Sequence, residues 1–254
     1  MNAPVPASAP ASDAVSIVVP DAPAPIPLPQ GKVRRGLPSA SSNDDTTRRW
    51  RLATFTGRLT ELSGHRDTAV LTLAFRLVLE AQRQHGLVAW ITSRDSAFYP
   101  PDAETRAIDL AALPVVRATT PRQAASSADF LLRSGAFRLI VLDLVDLEHK
   151  ARGRRPRREP LPVPIQTRLL GLANKYDTAL VCLTEKETDR PSLGSLVSLR
   201  AETRRGDRVS NGDRASERPL GQARYRLEAH VLKDKRCGPG WRHREVCDGP
   251  PGLY

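Results

Sequence analysis

The chain has 254 residues, 40% of them hydrophobic and 26% charged, the balance of a globular protein with one large core or two small ones. A net charge of +11 and a pI near 10.3 point to a polyanionic partner, nucleic acid first and an acidic protein surface second. No apolar run reaches the roughly 18 residues that span a bilayer, and the N-terminus lacks the basic-then-apolar order of a secretory signal. Three cysteines, Cys182, Cys237 and Cys247, make no disulfide framework, so the expected compartment is a reducing cytoplasm.

Residues 1–30 are rich in Pro, Ala and Ser, and their only charges are Asp13 and Asp21. Such a segment buries too little apolar surface to offset its ordering entropy, and the expectation is disorder. Residues 31–50 are expected to be a basic linker, with the folded domain over residues 51–254.

The alternation R-L-T-E-L over residues 58–62 predicts a strand. From Ala69 to Gln84 the apolar residues Leu71, Leu73, Ala74, Leu77 and Val78 recur at helical spacing. Apolar runs at 87–92 and 114–118 predict two more strands, and Pro121 opens a helix. The run Leu139–Leu142 ending in Asp143 is the pattern of a strand buried on both faces of a parallel sheet. A helix over 164–176 and a buried strand over 178–184 follow. Strands alternating with helices at this pace give an α/β layered domain. The last third changes character: 197–205, 223–235 and 241–246 alternate with period two, predicting antiparallel strands added to one edge.

The first strand leads into a turn where a strand–turn–helix fold would hold phosphate. It reads Gly64, His65, Arg66, Asp67, Thr68, Ala69, Val70, Leu71. The frame is that of G-x-x-x-x-G-K-S/T, with the second glycine, the lysine and the hydroxyl replaced.

With GRLTELSG before that turn, AQRQHG after the helix, RSGAFRLIVLDLVDL around Asp143 and LEAHVLKDKRCGP near the end, the chain resembles the ATPase core of RecA-type recombinases. The resemblance implies a P-loop NTPase core with a mostly parallel central sheet, flanking helices and an antiparallel C-terminal extension. It also implies what has been lost. Ala69 stands where a glycine lets the backbone wrap the phosphates, Val70 where a lysine bridges them, and Leu71 where a hydroxyl holds Mg²⁺. The family's water-activating glutamate falls at Arg94, a cation unable to act as a base. Asp143 retains the Walker B carboxylate, while the polar sensor after the next strand reads Thr184-Glu185, placing a carboxylate where it would repel a γ-phosphate. The expectation is a chain without ATPase activity, cofactor or resident metal.

The recombinase's long Gly-rich second DNA loop is cut here to about residues 186–194. In place of the first loop stands a basic segment over 150–158, in which Lys150, Arg152, Arg154, Arg155, Arg157 and Arg158 are candidate phosphate contacts. Two lysines of the late hairpin, which in recombinase filaments reach the ATP bound between subunits, match Lys233 and Lys235. They imply a filament face offered to a neighbour; the alternative is that they are edge-strand lysines that prevent aggregation.

Ser96-Ala97-Phe98-Tyr99-Pro100-Pro101 after the second strand is similar to a segment of the ImuA-type accessory proteins of bacterial SOS mutagenesis. That resemblance implies a non-catalytic protein that binds RecA, translesion polymerase components and DNA, promoting translesion synthesis. An ATP-dependent recombinase and a simple basic DNA-binding module are the alternatives. Cys237, His230, His243 and Cys247 have none of the usual zinc-finger spacings.

Overall fold

A computed structural model describes residues 50–66, 68–94, 96, 107–145, 147, 161–209 and 224–248. The proline-rich start, the six basic candidates between 150 and 158, and Ala97–Pro101 of the ImuA-like segment lie outside the described residues.

Eight strands form one sheet in the order β3-β2-β4-β5-β1-β6-β7-β8. They are β1 (Arg58–Gly64), β2 (Leu87–Ser93), β3 (Val115–Ala118), β4 (Phe137–Asp143), β5 (Ala179–Glu185), β6 (Leu199–Arg208), β7 (Arg224–Asp234) and β8 (Arg242–Asp248). The helices are a four-residue α1 (Leu52–Phe55), α2 (Val70–Arg83), α3 (Pro121–Ser134) and α4 (Val163–Lys175). β1 to β5 pair in parallel, and β6–β7 and β7–β8 pair antiparallel. This is the RecA-like α/β fold expected from the sequence.

Each helix follows from its residues. α3 starts where Thr120 accepts the Gln123 N–H at 3.1 Å with Pro121 at the first position, and it stops at Gly135 in the left-handed region (φ 68°). α2 buries Leu73, Ala74, Leu77 and Val78 on one side of the sheet, beside Leu62 and Val141. On the other side α3 and α4 cover Leu59, Ile91, Ile140 and Leu180. Roughly 1.5–3 kcal/mol of burial per large side chain makes these two layers the main source of stability.

Two expectations are corrected. The first of the C-terminal strands, expected in an antiparallel set, pairs in parallel with β1 from Leu199 to Glu202 and turns antiparallel only towards β7. It is an interior strand, so β1 has neighbours on both sides and all seven of its residues are buried. Trp50, assigned to the linker, belongs to the core. It is 5% exposed, meets Phe55 edge-on at 5.1 Å and stacks on His243 at 5.2 Å. A short basic stretch before it hides this, because one aromatic carries no periodicity.

Candidate functional site

β1 ends at Gly64 and α2 begins at Val70, so residues 65–69 make the turn at the carboxyl end of a central parallel strand. Ligands of open α/β sheets bind at that end. Here the turn is closed by its own residues. Thr68 Oγ1 accepts the Val70 N–H at 3.2 Å, one of the helix-start donors that an anion would otherwise take. It also lies 3.1 Å from Thr203 Oγ1 on β6, whose hydroxyl is 3.4 Å from the Ser63 carbonyl. Each hydroxyl has one proton, so the chain runs Thr68 to Thr203 to Ser63. The contact is close enough that a Cβ on Gly64 would stand 2.0 Å from Thr68 Oγ1, which explains the glycine.

The remaining turn residues are now placed. Ala69 and Val70 are buried in the core, at 2% and 4% exposure, so the lysine's position points inward. Leu71 is half exposed on the first turn of α2. Arg66 takes a left-handed conformation (φ 53°) and is exposed; Asp67 lies outside the described residues. His65 stands between two carboxylates, with Nδ1 3.6 Å from Glu185 and Nε2 3.9 Å from Glu187. Asp143 accepts the Thr92 hydroxyl at 3.1 Å and the Val145 N–H at 3.2 Å. Arg94 is exposed at the end of β2, its N–H bonded to the Ala118 carbonyl. Gly64, His65, Asp143 and Glu185 thus share the carboxyl end of the sheet, where threonine, histidine and carboxylate side chains make these contacts and Arg66 and Arg94 stand exposed.

Lys233 and Lys235 lie elsewhere. β7 runs antiparallel beside β6, and Asp234 pairs with Leu199, which pairs with Thr60. The Lys235 N–H bonds the Ser198 carbonyl, and the Ser198 N–H bonds Leu59. Lys235 is therefore level with Leu59 near the amino end of β1, about 16 Å from Gly64 at about 3.3 Å per residue, and Lys233 is level with Glu61, about 10 Å from Gly64. Lys235 Nζ donates to the Ser195 carbonyl at 2.7 Å, and Lys233 Nζ reaches Ser195 and Gly194 at 3.3 and 3.4 Å. Burial lowers the Lys233 pKa, the neighbouring Lys235 charge lowers it further, and Glu61 opposes both.

Sequence reasoning passed over the residues that hold the segment between β5 and β6. Glu61, fully buried in β1, receives Lys186 Nζ at 2.5 Å, the Thr184 hydroxyl at 2.9 Å and the Leu193 N–H at 2.8 Å. Buried Arg200 donates to the carbonyls of Glu187 and Arg190, and Gln166 of α4 donates to those of Leu161 and Leu193. The shortened loop is a strap fastened to the sheet. Buried polar residues in a strand were the available signal, since each requires a partner.

A second fastening joins the two ends of the domain. Arg58, 1% exposed, donates to Asp234 at 2.6 Å and to Ser198 and Thr54. Burial alone would raise the Asp234 carboxyl, but bonds from Arg58, the Arg236 N–H and the Trp241 indole hold it below the usual range. Trp241 is thus a packing residue. His230 and His243 fall on opposite faces of the hairpin, and Cys237 is exposed in its turn, so the four Cys and His side chains do not converge. No helix among the described residues is long and apolar enough to cross a membrane.

Residues 53–157 match the RecA N-terminal domain family. The chain is similar to the RecA protein of Fusobacterium nucleatum, 29% identical over 181 residues, covering 62% of this chain and 47% of that one. It is 36% identical to RecA of Chlorobium chlorochromatii and 39% identical to RecA of a Nocardioides species, each over 89 residues, 35% of this chain and 25% of theirs. The chain therefore spans at most about half the length of these relatives.

Proposed function

We propose that this chain is a non-catalytic relative of RecA that binds RecA and modulates recombination, with translesion polymerase components and DNA as further partners, in the manner of an ImuA-type accessory protein of SOS translesion synthesis. One observation carries the reading: the two ends of β1 have been treated differently. At the carboxyl end the turn is closed by Thr68, and Val70 is buried where a cation would be required. Towards the amino end Lys233 and Lys235 keep two cationic groups beside each other, about 10 and 16 Å along the strand direction from the chain's own turn. Any triphosphate they touch belongs to another subunit. Such a chain presents one half of a head-to-tail contact and lacks the other, so a filament that accepts it cannot extend past it.

The test pairs two measurements on the full chain. Calorimetry with magnesium and ATP should give no binding, and phosphate release with single-stranded DNA should stay at background. Immobilised RecA filaments should capture the chain. Magnesium-dependent triphosphate binding at the turn would replace this reading with an ATP-dependent recombinase; failure of RecA capture would remove the filament contact.

A further inference from the structure

β7 places Leu227, Ala229 and Val231 against the core, so Arg226, Glu228 and His230 point to the opposite side of the hairpin sheet. Strand register puts Glu202, His230 and Arg242 in one row across β6, β7 and β8, and Arg204, Glu228 and Arg244 in the next. On this side of the sheet α3 packs on β2 to β4, and α4 on β1 and β5. Beyond β1 a cavity of about 240 Å³ is lined by Thr188 of the strap and by Glu202, Arg204, Glu228, His230 and Arg242 of those rows. The Arg204, Arg244 and Arg242 side chains are 69%, 61% and 50% exposed.

The charges on this face are arranged economically. Glu228 receives Arg242 at 2.7 Å and Arg244 at 3.4 Å, so one carboxylate orients two guanidiniums and leaves a net positive charge. Burial alone would raise the Glu228 carboxyl, but the bonds and charges of Arg242 and Arg244 hold it below its ordinary value. Glu202 does the same for Arg204, with the Thr188 hydroxyl as its other donor. Arg226 stands exposed in the following row, opposite Val246. Guanidiniums at alternate positions of a strand recur about every 6.8 Å, and those on neighbouring strands about every 4.8 Å. Among the described residues, the alternate positions facing this way carry no Phe, Tyr or Trp.

We infer that the open face of β6, β7 and β8 binds the phosphate backbone of double-stranded nucleic acid without reading its sequence. Exposed arginines held in place by carboxylates suit phosphate oxygens, and the absence of aromatic platforms disfavours unstacked single strands. The site is separate from the segment 150–158 and from the two lysines, and the inference does not rest on RecA binding.

The experiment is fluorescence anisotropy of the full chain with a mixed-sequence DNA duplex over a salt series. Arg226→Gln with Arg244→Gln should weaken binding about tenfold and flatten the salt slope by about two, one per phosphate contact. Glu228→Gln should tighten binding about threefold, because two guanidiniums are released towards the ligand; a role confined to folding predicts the reverse sign. Urea midpoints near that of the parent chain establish that the variants are folded. The inference is overturned if the arginine pair changes nothing, if Glu228→Gln weakens binding, or if single strands bind more tightly than duplex. It is also overturned if polyglutamate competes as well as duplex at equal charge, or if replacing the six basic residues of 150–158 by Gln abolishes duplex binding by itself. Lys233→Ala with Lys235→Ala should leave duplex affinity unchanged while RecA capture is scored separately.

Discussion

Thr68 and Thr203 meet hydroxyl to hydroxyl at 3.1 Å, tying the turn after β1 to the neighbouring strand β6. This contact holds the turn against the sheet, and it gives the turn a measurable cost of disruption. Thr68→Ala removes the cap on the Val70 N–H and the link to β6. It should destabilise the chain by about 1 kcal/mol, read as a lower urea midpoint with unchanged slope.

A lysine placed at position 70 should not create an ATP site. Val70 is packed in the core, so Val70→Lys places an ammonium among apolar side chains. The expected outcome is a loss of about 3 kcal/mol with no gain of ATP binding by calorimetry. Gain of magnesium-dependent ATP affinity in this single variant would show that the turn opens easily.

Glu61 and Lys186 form a buried pair at 2.5 Å that fastens the strap to β1. Glu61→Gln strands the ammonium and should cost about 3 kcal/mol, with earlier proteolysis between residues 186 and 198. Lys186→Met in the same background should recover much of the loss, which a double-mutant cycle in urea would quantify.

Asp234 supplies the pH dependence. Its folded pKa lies below the ordinary value of 3.8. Its contribution is therefore complete above that value and fades as the pH falls from there through the lower folded value. The stability difference between the parent chain and Asp234→Asn should be constant near neutrality and shrink below about pH 4. A difference that persists unchanged down to pH 2 would show that Arg58 and Trp241 do not depend on the carboxylate charge.

Lys233→Ala with Lys235→Ala removes two ammoniums whose hydrogen bonds, among the described residues, go to the strap carbonyls. Stability should change by less than about 1 kcal/mol, while RecA capture falls at least tenfold. Unchanged capture would leave the lysines as guards of a sheet margin.

Particular residues show how far the chain order alone reaches. Leu139–Leu142 before Asp143, the Pro121 start and the Leu73, Leu77 stripe marked β4, α3 and α2 to within a few residues, because burial and helix initiation are local demands on residue type. The replaced residues at 69–71 were equally legible, since a motif is a set of positions. What neither pattern could contain was which distant groups meet. Glu61 was only one residue of a predicted strand, yet it is the anchor of a segment 125 residues further on, at Lys186. Trp50 carried no period, and β6 looked like an outer strand until its parallel pairing with β1 placed it inside. The order of residues was enough for the layered α/β fold and for locating the turn after β1. Three-dimensional packing alone reveals that Thr68 meets Thr203 at that turn, where the two lysines stand relative to it, and which face of the extension is left to solvent. The reason is physical: hydrophobic period acts between neighbours along the chain, whereas hydrogen bonds to buried polar groups are settled by whatever the fold brings within about 3 Å.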